Sequence, residues 1–226
     1  MRSIEIYTTD LPIPYHKAWE LQRALVAERK ENRIPDTLLI LEHEPVITLG
    51  RNAGTASLLF DEPTLRSKGV SLVVSDRGGD ATYHGPGQIV AYPIIDLRPD
   101  MKDIPRFVRT LEQVMIDTVA HYDLIADRLP DAPGVWLSEP DRKIGAVGAR
   151  ISRWITHHGI ALNVNTYLPH FNLIIPCGLS DKGVTSIARE MNQSVNFTQA
   201  KEHLITAFCE RFQRTPTRHD LASLLK

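Results

Sequence analysis

The sequence predicts an α+β fold, with a mixed, mostly antiparallel sheet packed with helices. Two observations carry that prediction. Short apolar or alternating runs outnumber the stretches with helical periodicity, and several neighbouring runs are joined by turns too short for a helical crossover. That order fits α+β better than a doubly wound fold. A third observation sets the scale: 226 residues with 42% hydrophobic content can bury a substantial core, read here as a single domain over residues 1–226.

The elements follow in order. Ser3–Thr8 alternates and reads as a strand, which Pro12 and Pro14 end. Tyr15, Ala18, Trp19, Leu25 and Val26 fall near helical spacing and predict a helix over 15–31. Asp36–Leu41 and Pro45–Gly50 read as strands, separated by Glu42-His43-Glu44 as a charged strand-end loop; its spacing matches no H-E-x-x-H metal motif. Asp61–Lys68 reads as a short helix ending at Gly69, and Val70–Val74 as a strand. Ile89–Leu97 is nearly all apolar, as a strand buried on both faces should be. Asp103 caps the strongest helix, whose stripe runs through Ile104, Phe107, Val108, Leu111, Val114, Met115, Thr118, Val119 and Tyr122. Gly134–Ser138, Lys143–Ser152 and Trp154–Val164 read as three more strands. Asn196 with Gln199 imitates a capping box and opens a last helix.

Composition excludes some functions. Lys+Arg 26 against Asp+Glu 27 leaves a net charge of −1, which argues against bulk nucleic-acid binding. No apolar run approaches the ~20 residues that cross a bilayer, so no membrane association is expected. The N-terminus has no basic-then-apolar signal, and Glu5, Asp10, Glu20 and Glu28 are unlike a transit peptide. Two cysteines imply no disulfide framework and fit a reducing cytoplasm.

The most informative stretch is 77–93, Arg-Gly-Gly-Asp-Ala-Thr-Tyr-His-Gly-Pro-Gly-Gln-Ile-Val-Ala-Tyr-Pro, with four of the chain's thirteen glycines. A loop so built lets backbone approach a ligand closely and reads as a ligand-facing floor; an ordinary glycine-rich turn, with His84 in a local hydrogen bond, is the other reading. Neither G-x-x-x-x-G-K-[ST] nor G-x-G-x-x-G occurs in it. Of the cysteines, Cys209 lies on or beside an apolar helix stripe and reads as a small buried hydrophobe. Cys177 lies between a proline and a glycine after Leu173–Ile175, a setting open to a nucleophile or to an ordinary loop thiol. A nucleophilic thiol with the usual pKa of about 8.5 is only ~3% ionised at about pH 7, so it needs a nearby cation worth roughly 2 kcal/mol. Lys143 is the candidate, since it follows a turn and opens a Gly-Ala-rich strand; a solvated strand-end lysine is the other reading. His157 and His158 are adjacent on a strand, so at most one faces a common site with His84, and no metal is expected.

Three motifs in register change these odds. Arg77–Gln88 matches R-G-G-x-x-T-Y-H-G-P-G-Q, Lys143–Gly148 matches K-I-A-x-x-G, and the stretch from His158 to Gly178 matches H-G-x-A-L-N-V…P-C-G. From about Thr48 to Ser186 the chain thus resembles the lipoyl(octanoyl) transferases. The one departure is Gly145 where the family usually has alanine.

The resemblance implies a biotin/lipoate protein ligase-like catalytic domain, no cofactor, and Cys177 and Lys143 as the catalytic acyl acceptor and base. It implies substrate contacts at Arg77, Gly78, Gly79, Asp80, Ala81, Thr82, Tyr83 and His84, at Ala146, Val147 and Gly148, and at Gly159, Ile160 and Ala161. His158 is expected to shape the acyl pocket. The implied donor is octanoyl-acyl carrier protein. The implied acceptors are lipoyl domains of 2-oxo acid dehydrogenase acyltransferase subunits and the glycine cleavage H protein. An ATP-dependent lipoate–protein ligase, a non-catalytic acyl-carrier-binding module and a Cys hydrolase are the rival readings; the pairing of Lys143 with P-C-G favours the transferase.

Overall fold

Period-two alternation in Arg2–Thr8 buries Ile4 and Ile6 and makes this run the first strand, β1. A computed structural model describes residues 2–54, 57–130, 132–175 and 182–225. From β1 the chain continues through α1 (Tyr15–Lys30), β2 (Asp36–Leu41), β3 (Val46–Leu49), α2 (Glu62–Ser67), β4 (Ser71–Val74), β5 (Ala81–His84), β6 (Gln88–Ile94) and α3 (Ile104–Ala120). Its second half adds β7 (Asp127–Leu129), β8 (Ala132–Leu137), β9 (Arg142–Val147), β10 (Arg150–Ser152), β11 (Ile155–His157), β12 (Ile160–Asn163), β13 (Gly183–Val184), α4 (Ile187–Met191), α5 (Phe197–Phe212) and β14 (Arg214–Asp220).

The main sheet runs β14-β1-β2-β6-β12-β9-β8-β7, with β13 alongside β9. β1 is parallel to β14 and β2, and β13 is parallel to β9. The other pairs in that order are antiparallel, as a mixed, mostly antiparallel sheet requires. Two small sheets, β4-β3-β5 and β10-β11, stand apart from it.

Alternation along the central strands divides the core. Ile89 and Ala91 of β6 and Ile160 and Leu162 of β12 pack with α3 and α5, while Val90, Tyr92 and Ala161 turn to the opposite face, toward α1. α3 starts where Asp103 accepts a hydrogen bond from the Arg106 N–H, and it buries Phe107, Leu111, Val114, Met115 and Val119. Asn196 caps α5 in the same way through the Gln199 N–H. No helix among the described residues is long and apolar enough to cross a membrane.

Two expected strands are each two. Lys143–Ser152 is split into β9 and β10, and Trp154–Val164 into β11 and β12. The last rung they share before leaving the main sheet is the Gly148 N–H to Gly159 carbonyl bond, 2.8 Å. Beyond it the two segments pair with each other as a hairpin whose turn holds Arg153 and Trp154 at φ 51° and 67°. β14 gives no sequence signal, because its side chains are mostly exposed and carry no apolar alternation; Pro216 is tolerated there since β14 is an edge strand.

Candidate active site

Three adjacent strands build the floor of a cavity of about 160 Å³ on the α1 face of the sheet. Register places Gln88 beside Asn163, then Val90 beside Ala161 and Ala146, then Tyr92 near Gly159 and Gly148. The floor therefore runs from amides, through small aliphatic side chains, to an aromatic end. From Gln88 to Tyr92 it spans ~13 Å at the usual strand rise. An unbranched apolar chain fits such a trough.

The glycine-rich loop forms one wall. Arg77 is buried and holds the loop together: its Nε donates to Thr48 Oγ1 at 2.8 Å, Nη1 to the Gly78 carbonyl at 2.9 Å, and Nη2 to the carbonyls of Thr48 and Asp80 at 2.6 and 2.5 Å. Arg77, Gly79, Asp80, Ala81, Thr82 and His84 line the cavity, as do Ala146, Val147, Gly148, Gly159, Ile160, Ala161 and His158. Gly78 instead packs its backbone against the Ala149 carbonyl. Tyr83 departs from expectation. Strand alternation turns it away to Phe171 and His170, where its hydroxyl meets His170 Nδ1 at 3.0 Å and burial pushes its pKa up to about 12.

The tautomer of His84 follows from its neighbours. The Gln88 amide NH₂ donates to the Tyr83 carbonyl and to Asn163 Oδ1, so Gln88 Oε1 accepts and His84 Nδ1 donates to it at 2.7 Å. Its Nε2 is left as an acceptor. Burial, aided by His43 and Arg77, holds the His84 pKa well below the usual range, so the ring is neutral at pH 7.

Lys143 stands at the amide end. It is half-buried, lines the cavity, and its Nζ lies 4.7 Å from the centre of the Trp136 ring. Pairing with β13 holds its backbone, and Val184 of that strand also lines the cavity. Cys177 lies outside the described residues. The chain on either side of it is described: Ile175 bonds Ser57, and Gly183–Val184 pair with Arg142–Lys143. Cys209 is buried in the α5 core, where burial pushes its thiol pKa up.

The opposite end is shut by Tyr15, Tyr92 and His158, each at most 4% exposed. His43, expected in a charged loop, is completely buried behind them, because an isolated bridge to Ile13 draws its segment into the core. Its Nδ1 donates to the Ile13 carbonyl at 2.9 Å, so Nε2 accepts from the Tyr92 hydroxyl at 2.7 Å. His158 has φ 52°, and its N–H donates to Gln22 Oε1 at 2.7 Å. Its Nε2 meets Asp76 Oδ1 at 2.8 Å. Burial lowers the pKa of both His43 and His158 to about 4. Burial pushes the Asp76 carboxyl up, but the His158 hydrogen bond and the nearby positive groups outweigh it and leave its pKa below the usual range.

Asp76, His157 and His158 bring ligand atoms within 4.8 Å of one another, a spacing that can hold a metal ion. Here the carboxylate is already engaged by His158, by the Trp19 indole N–H at 3.1 Å and by the Arg150 guanidinium, which stands where a cation would bind. The cluster is built as an ion pair. Tyr15, His43, Asp76 and Tyr92 come from separate segments, so no local motif joins them. The one legible signal is a tyrosine within the apolar Ile89–Leu97 run and a glutamine just before it, four residues apart and so on one face of β6.

Residues 14–209 match the lipoyl protein ligase A/B catalytic domain. The chain is 45% identical over 217 residues to an octanoyltransferase of Roseiflexus sp. (strain RS-1), covering 96% of this chain and 90% of that protein. It is 51% identical over 176 residues to an octanoyltransferase of Solibacter usitatus, covering 78% and 79%. Its fold is similar to the bipartite lipoate protein ligase of Thermoplasma acidophilum, with a TM-score of 0.75 at 16% identity, over 100% of this chain and 91% of that one.

Proposed function

Since this chain belongs to the lipoyl protein ligase A/B catalytic-domain family and is an acyltransferase, we propose that it carries an octanoyl group from acyl carrier protein, through a thioester on Cys177, to a lysine of a lipoyl domain. The observation that carries this reading is Lys143 at one end of a trough floored by Val90, Ala161 and Ala146. The whole chain acts as one octanoyltransferase domain in the cytoplasm. Lipoyl domains of 2-oxo acid dehydrogenase complexes and the glycine cleavage H protein are the acceptors.

In the first half-reaction the Cys177 thiolate attacks the donor thioester carbon, the carbon–sulfur bond to pantetheine breaks, and Lys143 gives the departing thiolate a proton. In the second, the acceptor ε-amine attacks octanoyl-Cys177, Lys143 takes the proton that the nitrogen loses, and Cys177 leaves as thiolate. Two proton transfers at one site suit a single group held in place, and the Trp136 ring beneath Lys143 Nζ supplies that positioning. The donor thioester already holds the energy for amide formation, so no nucleotide enters.

Mixing the protein with octanoyl-acyl carrier protein in nucleotide-free buffer tests this reading. Intact mass should rise by one octanoyl group, and peptide mapping should place it on Cys177 and not on Cys209. An adduct confined to Cys209, or transfer only with ATP and free octanoate, would replace it with another mechanism.

A further inference from the structure

Lys143 stands near the start of β9, where the strand is held differently from its other end. β12 pairs with β9 at Gly145, Ala146 and Val147, and β13 takes its place at Arg142 and Lys143. β13 is Gly183–Val184 alone, and two residues make a weak ladder by themselves. We propose that the hydrogen-bond network centred on Thr185, just past β13, fixes the place of Lys143, with Thr185 and Glu190 as positioning residues for the transfer. The inference rests on the reading of Lys143 as the base.

Thr185 is fully buried and engages all three of its polar groups. Its N–H donates to the Lys143 carbonyl at 2.9 Å, its carbonyl accepts from Asn163 Nδ2 at 3.0 Å, and its hydroxyl bonds Glu190 Oε1. Glu190, on α4, also accepts from Arg142 Nε and Nη2, each at 2.9 Å. These Arg142 bonds, with Thr185 helping, hold the Glu190 carboxyl below the usual range despite its partial burial. It is therefore a carboxylate at pH 7, and the Thr185 hydroxyl is the donor. Arg142 is thus gripped at its side chain and Lys143 at its backbone. On the other side, Asn163 Oδ1 accepts from Gln88 Nε2 at 2.9 Å, so the same node reaches the glutamine that orients His84. Lys143, Asn163, Gln88 and His84 line the cavity, and Thr185 and Glu190 reach it through them.

Fold stability alone does not account for the ion pair in this network. The Arg142 and Glu190 side chains are 21% and 17% exposed, and a pair so open to solvent contributes little to stability. Its place beside the base gives it another use, since misplacing a reacting group by about 1 Å can slow a reaction ~100-fold. Loosening the network should therefore show in the position of Lys143 and in rate.

The test follows Lys143 itself. In protein carrying isotopically labelled lysine, the ε-methylene signal of Lys143 is the one that Lys143→Arg removes, and the Trp136 ring should shift it upfield in wild type. Thr185→Val keeps the shape and loses the hydroxyl. It should move that signal toward those of the other lysines and slow acyl loading from octanoyl-acyl carrier protein by ~10–100-fold. Thr185→Ser keeps the hydroxyl and should restore both. Glu190→Ala should act in the same direction as Thr185→Val and serves if that variant does not fold. In a Lys143→Arg background Thr185→Val should slow loading no further, because the network acts through Lys143. Losses that multiply in that background overturn the proposal, as does a Lys143 signal or a loading rate that keeps its wild-type value in the folded variants. If wild type forms the octanoyl adduct and the signal does not move, the acyl-transfer reading stands and the network is only structural. If wild type forms no adduct but the signal moves in Thr185→Val and returns in Thr185→Ser, the transfer reading fails and the placement of Lys143 by Thr185 is supported.

Discussion

At the scale of single residues, Lys143 and His84 both line the trough, and their chemistry separates them. Lysine can cycle a proton near neutral pH when its surroundings allow, whereas arginine keeps its charge and does not. On the proposed mechanism, Lys143→Arg preserves a cation beside Trp136 but removes the base. Both half-reactions should fall by ~10²–10⁴-fold, measured as acyl loading by intact mass and as delivery to a lipoyl domain. Near-normal rates in both would pass the role to His84, whose Nε2 carries no proton because Gln88 has claimed Nδ1–H. His158 is the weaker alternative, since it stands at the closed end with Asp76 on its ring. Lys143 and Cys177 stand out as candidates in the sequence because each sits in a short motif. The protonation of His84 does not show there, because it depends on Asn163 and Tyr83, which β12 and β5 bring to Gln88.

At the scale of elements, the junction of β9, β12 and β6 shapes the trough, and two glycines there answer differently to substitution. A Cβ on Gly159 would lie 2.2 Å from the Ala91 carbonyl and 2.7 Å from Pro93, and backbone in the sheet centre cannot withdraw. Gly159→Ala should cost ~3 kcal/mol or more, read as a fall in urea midpoint. A Cβ on Gly145 would meet the Met115 thioether at 2.6 Å, the end of a flexible side chain. Gly145→Ala should stay within about 1 kcal/mol of wild type, in line with the alanine expected there from the family pattern. Equal losses in both variants would show that the two positions are packed alike. The strands themselves were visible in the apolar runs, but their breaks were not. β9 ends and β12 begins where Gly148 and Gly159 share a rung, a property of two segments together.

At the scale of the whole molecule, three buried neutral histidines couple acidity to stability. His43 and His158 have pKa values lowered to about 4 from an ordinary 6.5, and burial holds His84 well below the ordinary range as well. Above about pH 6.5 neither the folded nor the unfolded chain protonates them, and their contribution is fully present. As pH falls from 6.5 toward 4, the unfolded chain binds protons that the native one refuses. Stability should drop by roughly 3 kcal/mol for each of His43 and His158 across that window. Urea midpoints between pH 7.5 and 4.5 should fall steadily below pH 6.5; a constant midpoint would mean that these rings are hydrated in the native state.

The sequence by itself determined most of the helices and central strands, and the motifs that nominate a site. The α3 stripe, the caps at Asp103 and Asn196, the mixed sheet and the motifs around Arg77, Lys143 and Cys177 are all local patterns, readable within a few turns of chain. Only the tertiary structure decided which faces meet. It turned Tyr83 away from the cavity, drew His43 out of an apparent charged loop, and set Tyr15 of α1 and Tyr92 of β6 both against His43 and His158. Strand register and helix docking make those choices. They arise from contacts between residues far apart in sequence, where no local period or spacing records them.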